Sequence, residues 1–299
     1  MIKNFLKRRS IKRNSSIMAK QHSLLLSTTL EGYALNSRDS GVNTGNEQGI
    51  TVSLTTIRER INDIHLTIES LFQQSVKARR IVLWLPSDKF TINDIPAVLK
   101  KQEARGLEIA FCKEDIGPYT KFYYCLQKYP DSLIATVDDD LIYPLDLLDQ
   151  LYRGYCKNPN IIYCHRAHRI LLDHKKNILP YKQWDWSIKD AVPDLRVFPT
   201  GVGGVLYFPG CFDDDILNKD RFLSLSPNQD DVWLKAMSLK KGVLCQHVDD
   251  IRNWKSRFIQ VSNSQAVKLK RHNKSKKDGN DSKIAAVFGA YGLTELLID

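Results

Sequence analysis

The chain has 299 residues, 42% of them apolar, which suffices for one large α/β domain or two small ones and excludes wholesale disorder. Its 44 basic and 34 acidic residues give a net charge of +10, but residues 1–20 hold seven Lys or Arg and no acid, and residues 252–283 hold ten against two. These ends carry +7 and +8, so the remainder is near −5. A weakly acidic body argues against a nucleic-acid binder, whose charge lines the folded surface.

Residues 1–20 read as a mobile basic arm and 35–48 as a loop. Leu24-Leu25-Leu26 is too short for a signal h-region, and no segment reaches the 18 or so apolar residues of a membrane span, so a cytoplasmic, non-secreted protein is expected. Six cysteines without a C-x-x-C pair imply small buried hydrophobes, with neither a zinc site nor a disulfide framework.

The folded body is expected from Ile50. Residues 50–56 read as a β-branched strand and 57–74 as an amphipathic helix; 80–85 and 107–111 read as strands around a helix at 95–105, capped by Gly106. A helix at 120–128 precedes the most informative stretch, Leu133 to Pro144. Leu133 to Val137 form a short buried strand, and the strand meets Asp138, Asp139 and Asp140. Three carboxylates cannot enter an apolar core unpaired, so they must stand where the strand leaves the sheet. The alternating strands and helices imply parallel strands, right-handed crossovers and helices on both faces, with the strand ends lining one edge. On that edge fall Thr55, Thr56 and Arg58, Trp84 and Asp88, Glu114 and Asp115, and the Asp triplet.

After a helix from Leu145 and a fifth strand at 161–164, aromatic residues and histidines gather: His165, His168, His174, Tyr181, Trp184 and Trp186. Thr200 to Gly210 carries Gly201, Gly203 and Gly204 just before an apolar strand, where glycine permits positive φ or close approach. It matches neither G-x-G-x-x-G nor a Walker A loop. Asp230 and Asp231 open a helix running to Lys240, where acids also complement the dipole. Asp213-Asp214-Asp215, a second triplet, reads as a surface turn, and residues 284–288 as an apolar helix packed on the body.

Taken together, Val52 to Thr56, Gly117 to Lys121, Val137 to Pro144, Thr200 to Gly210 and Asp230 to Leu234 make residues 50–245 resemble a nucleotide-sugar glycosyltransferase of the GT-A fold, of the bacterial type that builds surface polysaccharide or lipopolysaccharide. The resemblance implies an α/β Rossmann-like, mostly parallel sheet flanked by helices. It also implies a division into a basic arm and loop (1–49), a catalytic domain (50–250) and a basic extension with a terminal helix (251–299). Asp138, Asp139 and Asp140 stand as its D-x-D motif: Asp140 would bind Mn²⁺ or Mg²⁺, and Asp138 the metal or the ribose. Thr55, Thr56, Arg58, Lys121, Asp139, Gly203 and Gly204 would bind the nucleotide sugar, a UDP-sugar by expectation. Asp230 or Asp231 would be the base of an inverting transfer to a glycan or lipid-linked hydroxyl, with a retaining mechanism open.

Trp184 and Trp186 are candidates for stacking on a sugar, and His165, His168 and His247 for serving the site; each has a structural alternative. The basic ends fit contact with an anionic membrane at the inner face, with Arg252, Lys255, Arg257 and the lysines and arginine at 268–277 as the patch and Trp254 and Phe258 inserting. No nucleic-acid partner is expected. Two other classes compete: a metal-dependent phosphotransferase or nuclease, and a non-catalytic protein binding anionic surfaces.

Overall fold

The computed structural model describes residues 2–45, 49–261 and 279–298. A seven-stranded mixed sheet lies between two layers of helices. Before the sheet comes α1, Ile2–Asn36; then, in chain order, β1 (Thr51–Thr55), α2 (Ile64–Phe72), β2 (Arg80–Pro86), α3 (Ala97–Glu103), β3 (Leu107–Cys112), α4 (Thr120–Lys128) and β4 (Ile134–Thr136). The second half supplies β5 (Leu141–Ile142), α5 (Leu147–Lys157), β6 (Ile161–Cys164), β7 (Ala167–Arg169), β8 (Val197–Pro199), β9 (Val205–Tyr207), α6 (Lys219–Leu225), α7 (Asp230–Lys240), β10 (Leu244–His247), α8 (Trp254–Arg257), β11 (Ile259–Gln260) and α9 (Asn280–Tyr291).

The sheet order is β10-β6-β9-β4-β1-β2-β3. β9 alone in this sheet runs against its neighbours, β4 and β6; the other pairings are parallel. Side-chain alternation builds both layers. Val52, Leu54, Ile81, Leu83 and Leu85 join one apolar cluster with Ile64, Ile68 and Leu71 of α2, Leu99 of α3 and Leu147, Leu148 and Leu151 of α5. Ile162, Cys164, Val205 and Tyr207 face the opposite cluster, with Phe122 of α4, Trp233 of α7 and Phe288 of α9.

Several elements differ from expectation. The helix expected over 57–74 begins at Ile64, because Arg58–Arg60 form a single 3-10 turn that swings Arg60 inwards. β5, read as part of the run towards Pro144, pairs antiparallel with β11. Residues 2–36, expected as an arm and the beginning of a loop, are helical. The later turns of α1 bury Leu30 and Ala34 against the body. Lys101 Nζ donates to Leu35 O at 2.8 Å and Arg105 Nη1 to Tyr33 O at 3.3 Å, which fixes the helix end to α3 and its exit loop. Among the described residues no helix is long and apolar enough to cross a membrane. The lysines and arginine at 268–277 of the expected basic patch lie outside the described residues.

Candidate active site

The parallel strands deliver their carboxyl ends to one edge. Because β9 is reversed, the glycine segment preceding it reaches that same edge. Here the Asp triplet, the start of α7, the Gly201–Gly203 3-10 turn and Lys121 of α4 meet.

The three aspartates have separate surroundings. Asp139 is buried; its carboxylate accepts from Thr56 Oγ1 at 2.6 Å and from Arg60 Nη1 at 2.6 Å, and its carbonyl from Thr67 Oγ1 at 3.0 Å. Burial still raises its pKa, although Arg60 and Thr56 pull the other way. Arg60 also stands 3.4 Å from Asp140, whose carbonyl accepts from the Val261 amide at 3.0 Å. Asp138 is the most open of the three, and Tyr143 fixes its backbone: the Asp138 amide donates to the tyrosine oxygen at 2.9 Å.

Lys121 is buried and bridges the two halves of the site. Its Nζ lies 2.7 Å from Asp138 Oδ1 and 3.1 Å from Asp230 Oδ2. Burial opposes its charge, but Asp138, Asp230 and Asp231 outweigh that cost and hold its pKa well above the ordinary lysine value. Asp230, the first residue of α7, spends its side chain on this pair; the helix N-cap is Gln229, which makes no side-chain capping bond. Asp231 is slightly less enclosed than Asp230 and accepts from the Gly201 amide at 2.9 Å. Burial and then the neighbouring Asp230 carboxylate push its pKa up to about 8.

A side chain at Gly201 would meet this cluster, its Cβ falling 3.0 Å from Asp231 Oδ1, 3.4 Å from Lys121 Nζ and 3.8 Å from Asp138 Oδ1. Gly204 has φ +83° and lies against Leu147 and Val137. At Gly203 an added Cβ would press on the Trp254 ring at 2.9 Å and on Arg166 Cβ at 3.1 Å.

The other candidates sit as follows. Thr55 Oγ1 donates to Trp84 O at 2.9 Å. Arg58 is exposed and donates to Lys89 O at 2.6 Å, beside Asp94 at 3.5 Å, on the outer rim. Trp184 is buried, donating to Leu179 O at 2.8 Å, while Trp186 is half-exposed against His168 and Tyr181. His165 and His168 are buried with pKa values lowered to about 3 by burial, so both stay neutral. Together with His247, which bonds His165 O at 3.1 Å, they tie backbone rather than face the carboxylates. Asp213 and Asp215 pair with Lys240 in a turn at the start of a short 3-10 segment.

Trp254 and Phe258, expected at a membrane interface, instead stack on each other with centroids 3.7 Å apart, and Phe258 is buried in the core. Arg252 and Arg257 are likewise taken up by Asp250 and Asp146. Sequence reasoning missed Arg60 and Arg166. Arg60 had a weak signal, a cation following closely on a buried strand.

Among the described residues no three His, Cys, Asp or Glu side chains converge to enclose a metal. The donor chemistry still suits one. Asp138 and Asp140 offer oxygen ligands at a solvent-facing strand end, the partial coordination Mg²⁺ or Mn²⁺ accepts when phosphates and water complete the shell. Five carboxylates (Asp138, Asp139, Asp140, Asp230, Asp231) crowd this edge, and the cations paired with them are Lys121 and Arg60.

No family model and no curated protein matches the sequence. Among solved structures, the chain is similar to TarS 1–349 of S. aureus in complex with UDP (12% identity over 68% of this chain and 58% of that one, TM-score 0.46). It is similar also to the mannosyltransferase PcManGT from Pyrobaculum calidifontis in complex with GDP-Man and Mn²⁺ (12% identity, 79% and 65%, TM-score 0.45). A third is GalNAc-T7 with UDP, GalNAc and Mn²⁺ (11% identity, 68% and 43%, TM-score 0.45). The match thus takes in 43% to 65% of the length of these chains.

Proposed function

We propose that this protein is a glycosyltransferase that moves a sugar from a nucleoside-diphosphate sugar to a hydroxyl of a glycan or lipid-linked acceptor, with inversion, in the synthesis of a cell-surface polysaccharide or lipopolysaccharide. The observation that carries the reading is the meeting of the acidic strand end with the Asp230–Asp231 helix start, joined by Lys121 and covered by the Gly201–Gly203 turn.

Each residue then has work suited to its surroundings. Asp138 and Asp140 would hold a divalent cation, which when bound supplies positive charge to the departing diphosphate. Lys121 supplies a second positive charge at the same place and orients Asp138. Asp139 is the pillar: with Arg60 and Thr56 it holds the triplet's backbone in place. Thr55 and Arg58 lie on the rim of β1, where a nucleotide would rest. Asp231 is the base, being the more open of the α7 pair, and it accepts the proton in the ionised form that grows as pH rises towards about 8. The acceptor oxygen bonds to the anomeric carbon as the bond from that carbon to the diphosphate oxygen breaks. The electron pair leaves with the nucleoside diphosphate, and the acceptor proton passes to Asp231. Glycine at 201 and 203 lets the turn backbone close on Asp231 and Lys121 at one end and on Trp254 and Arg166 at the other.

The test is thermal stability of the full chain with UDP, GDP and CMP, each with Mn²⁺ and with EDTA, followed by turnover of the matching nucleotide sugars. One nucleotide is expected to raise the melting temperature by several degrees with Mn²⁺ only, since a ligand at a hundred times its dissociation constant adds about 2.7 kcal/mol. Asp140→Ala should lose that increment. A cooperative melt that no nucleotide shifts would overturn the reading.

A further inference from the structure

Arg166 lies between β6 and β7, on the wall facing the other end of the glycine turn. Its Nη1 donates to Thr200 Oγ1 at 3.1 Å, and its carbonyl accepts from the Thr200 amide at 2.9 Å. Among the described residues no carboxylate stands within ion-pair distance of it. Other enclosed arginines here are matched: Arg60 with Asp139 at 2.6 Å, Arg105 with Glu69 at 2.7 Å, Arg257 with Asp250 at 2.8 Å. Burial lowers the Arg166 pKa, and Asp231 and Tyr181 act against that cost from nearby, yet the guanidinium stays charged at any working pH. Among the described residues nothing bonds its other nitrogens, and they are not sealed from solvent.

Position gives this lone charge a direction. Gly203 abuts Arg166 and Trp254, and Gly201 abuts Asp231 and Lys121. Arg166 Nη1 bonds Thr200 Oγ1, and the amide of the next residue, Gly201, bonds Asp231 Oδ1 at 2.9 Å, so consecutive residues of one turn hold the cation and the base. The diphosphate end of the site already has Lys121, paired with Asp138.

We infer that Arg166 recognises an anionic group, phosphate or carboxylate, on the acceptor and so sets the acceptor hydroxyl at Asp231. The inference rests on the transferase reading. A guanidinium suits it, because its planar fork takes two oxygens of either group and remains charged when half-buried.

The experiment uses the full chain, wild type and the variants Arg166→Gln and Arg166→Lys, with the nucleotide sugar found above and three matched acceptor glycosides: a neutral sugar, its phosphate ester and its uronate. The wild type is expected to favour one anionic acceptor over the neutral one by roughly 10- to 100-fold in kcat/KM, the range of one charge-assisted hydrogen-bonded contact. Preference for the ester identifies a phosphate source, and for the uronate a carboxylate source. In Arg166→Gln the preference should vanish, chiefly through KM, while the melting shift produced by the nucleotide with Mn²⁺ persists; Arg166→Lys should recover part of it. A wild type that shifts with nucleotide but treats the three acceptors alike overturns the role of Arg166 alone. So does an Arg166→Gln variant that slows all three equally. Absence of any nucleotide shift or turnover in the wild type overturns the transferase reading and this role with it.

Discussion

Asp230 and Asp231 are adjacent in sequence and opposite in circumstance. The first is enclosed and paired with Lys121; the second is slightly less enclosed, has a single amide partner, and carries a pKa raised to about 8. An aspartate raised in the folded state binds its proton more tightly there than in the unfolded chain, where the value is about 3.9. The stability it lends is full below pH 4 and is lost as pH rises through about 8. Asp231→Asn cannot ionise. Its melting temperature should therefore gain on the wild type between pH 4 and pH 8 and hold a constant lead beyond, at roughly 2–4 °C per kcal/mol. Turnover should fall at least 100-fold while the nucleotide-induced shift remains, since general-base catalysis contributes about 10²–10⁴. A melting difference independent of pH would remove Asp231 as the titrating group. At this scale the triplet was legible, because three acids after an apolar strand have nowhere to go but the sheet edge. Arg60 was not: it lies in a stretch whose apolar spacing reads as helix, and only the 3-10 turn carries it to Asp139. Arg166 left no trace in sequence, since what distinguishes it is the lack of an ion-paired acid among the described residues.

The strands were the most legible elements, their apolar runs short and bounded by Gly, Pro or charge. Helix ends moved by several residues, and β5 and β11 escaped notice because a two-residue strand has no period to read and its partner is far along the chain. That small pairing matters. Residues 251–261 run back across the site, where Phe258 lies against Tyr143 and His165, and Val261 closes on Asp140. Phe258→Ala should cost about 3–5 kcal/mol, the usual loss for a buried phenylalanine. Because Tyr143 also holds the Asp138 amide, nucleotide affinity should weaken as well, which titration of the variant would read. Unchanged affinity in a destabilised variant would reduce the segment to packing alone.

At the level of the whole molecule, α1 gives the positive charge of the N-terminus a shape. Leu30 and Ala34 pack inwards, whereas Ile17, Met18, Leu24 and Leu25 are 44%, 66%, 70% and 68% exposed. At 100° per residue Met18 and Leu25 fall opposite Leu30 and Ala34, with Ile17 and Leu24 on the flank. Exposed apolar residues on a helix whose first 20 positions hold seven cations and no acid fit an anionic lipid surface better than a second copy, which would set like charges together. We therefore expect the full chain to co-sediment with vesicles containing anionic lipid, and Leu24→Glu with Leu25→Glu to reduce that binding at least tenfold without altering the nucleotide shift. Equal binding to neutral vesicles, or none, would rule the helix out as the contact. The composition showed where charge accumulates, but the opposed packed and bare sides needed the fold.

The reversed strand β9 has one more implication. The chain leaves the sheet after Cys164 and re-enters at Val205, and these two residues are register partners. Everything between them, Arg166 and the glycine turn included, is a closed excursion whose two ends are already clamped together. Lengthening an exposed turn within it costs about 0.6 kcal/mol of closure entropy per doubling, whereas Ala167, Trp184, Val197 and Phe198 tie its inner part to the core and Asp194 ties it to β10. The wall opposite the carboxylates can thus vary at its outer turns while its core residues and the Gly201 amide keep Asp231 in place.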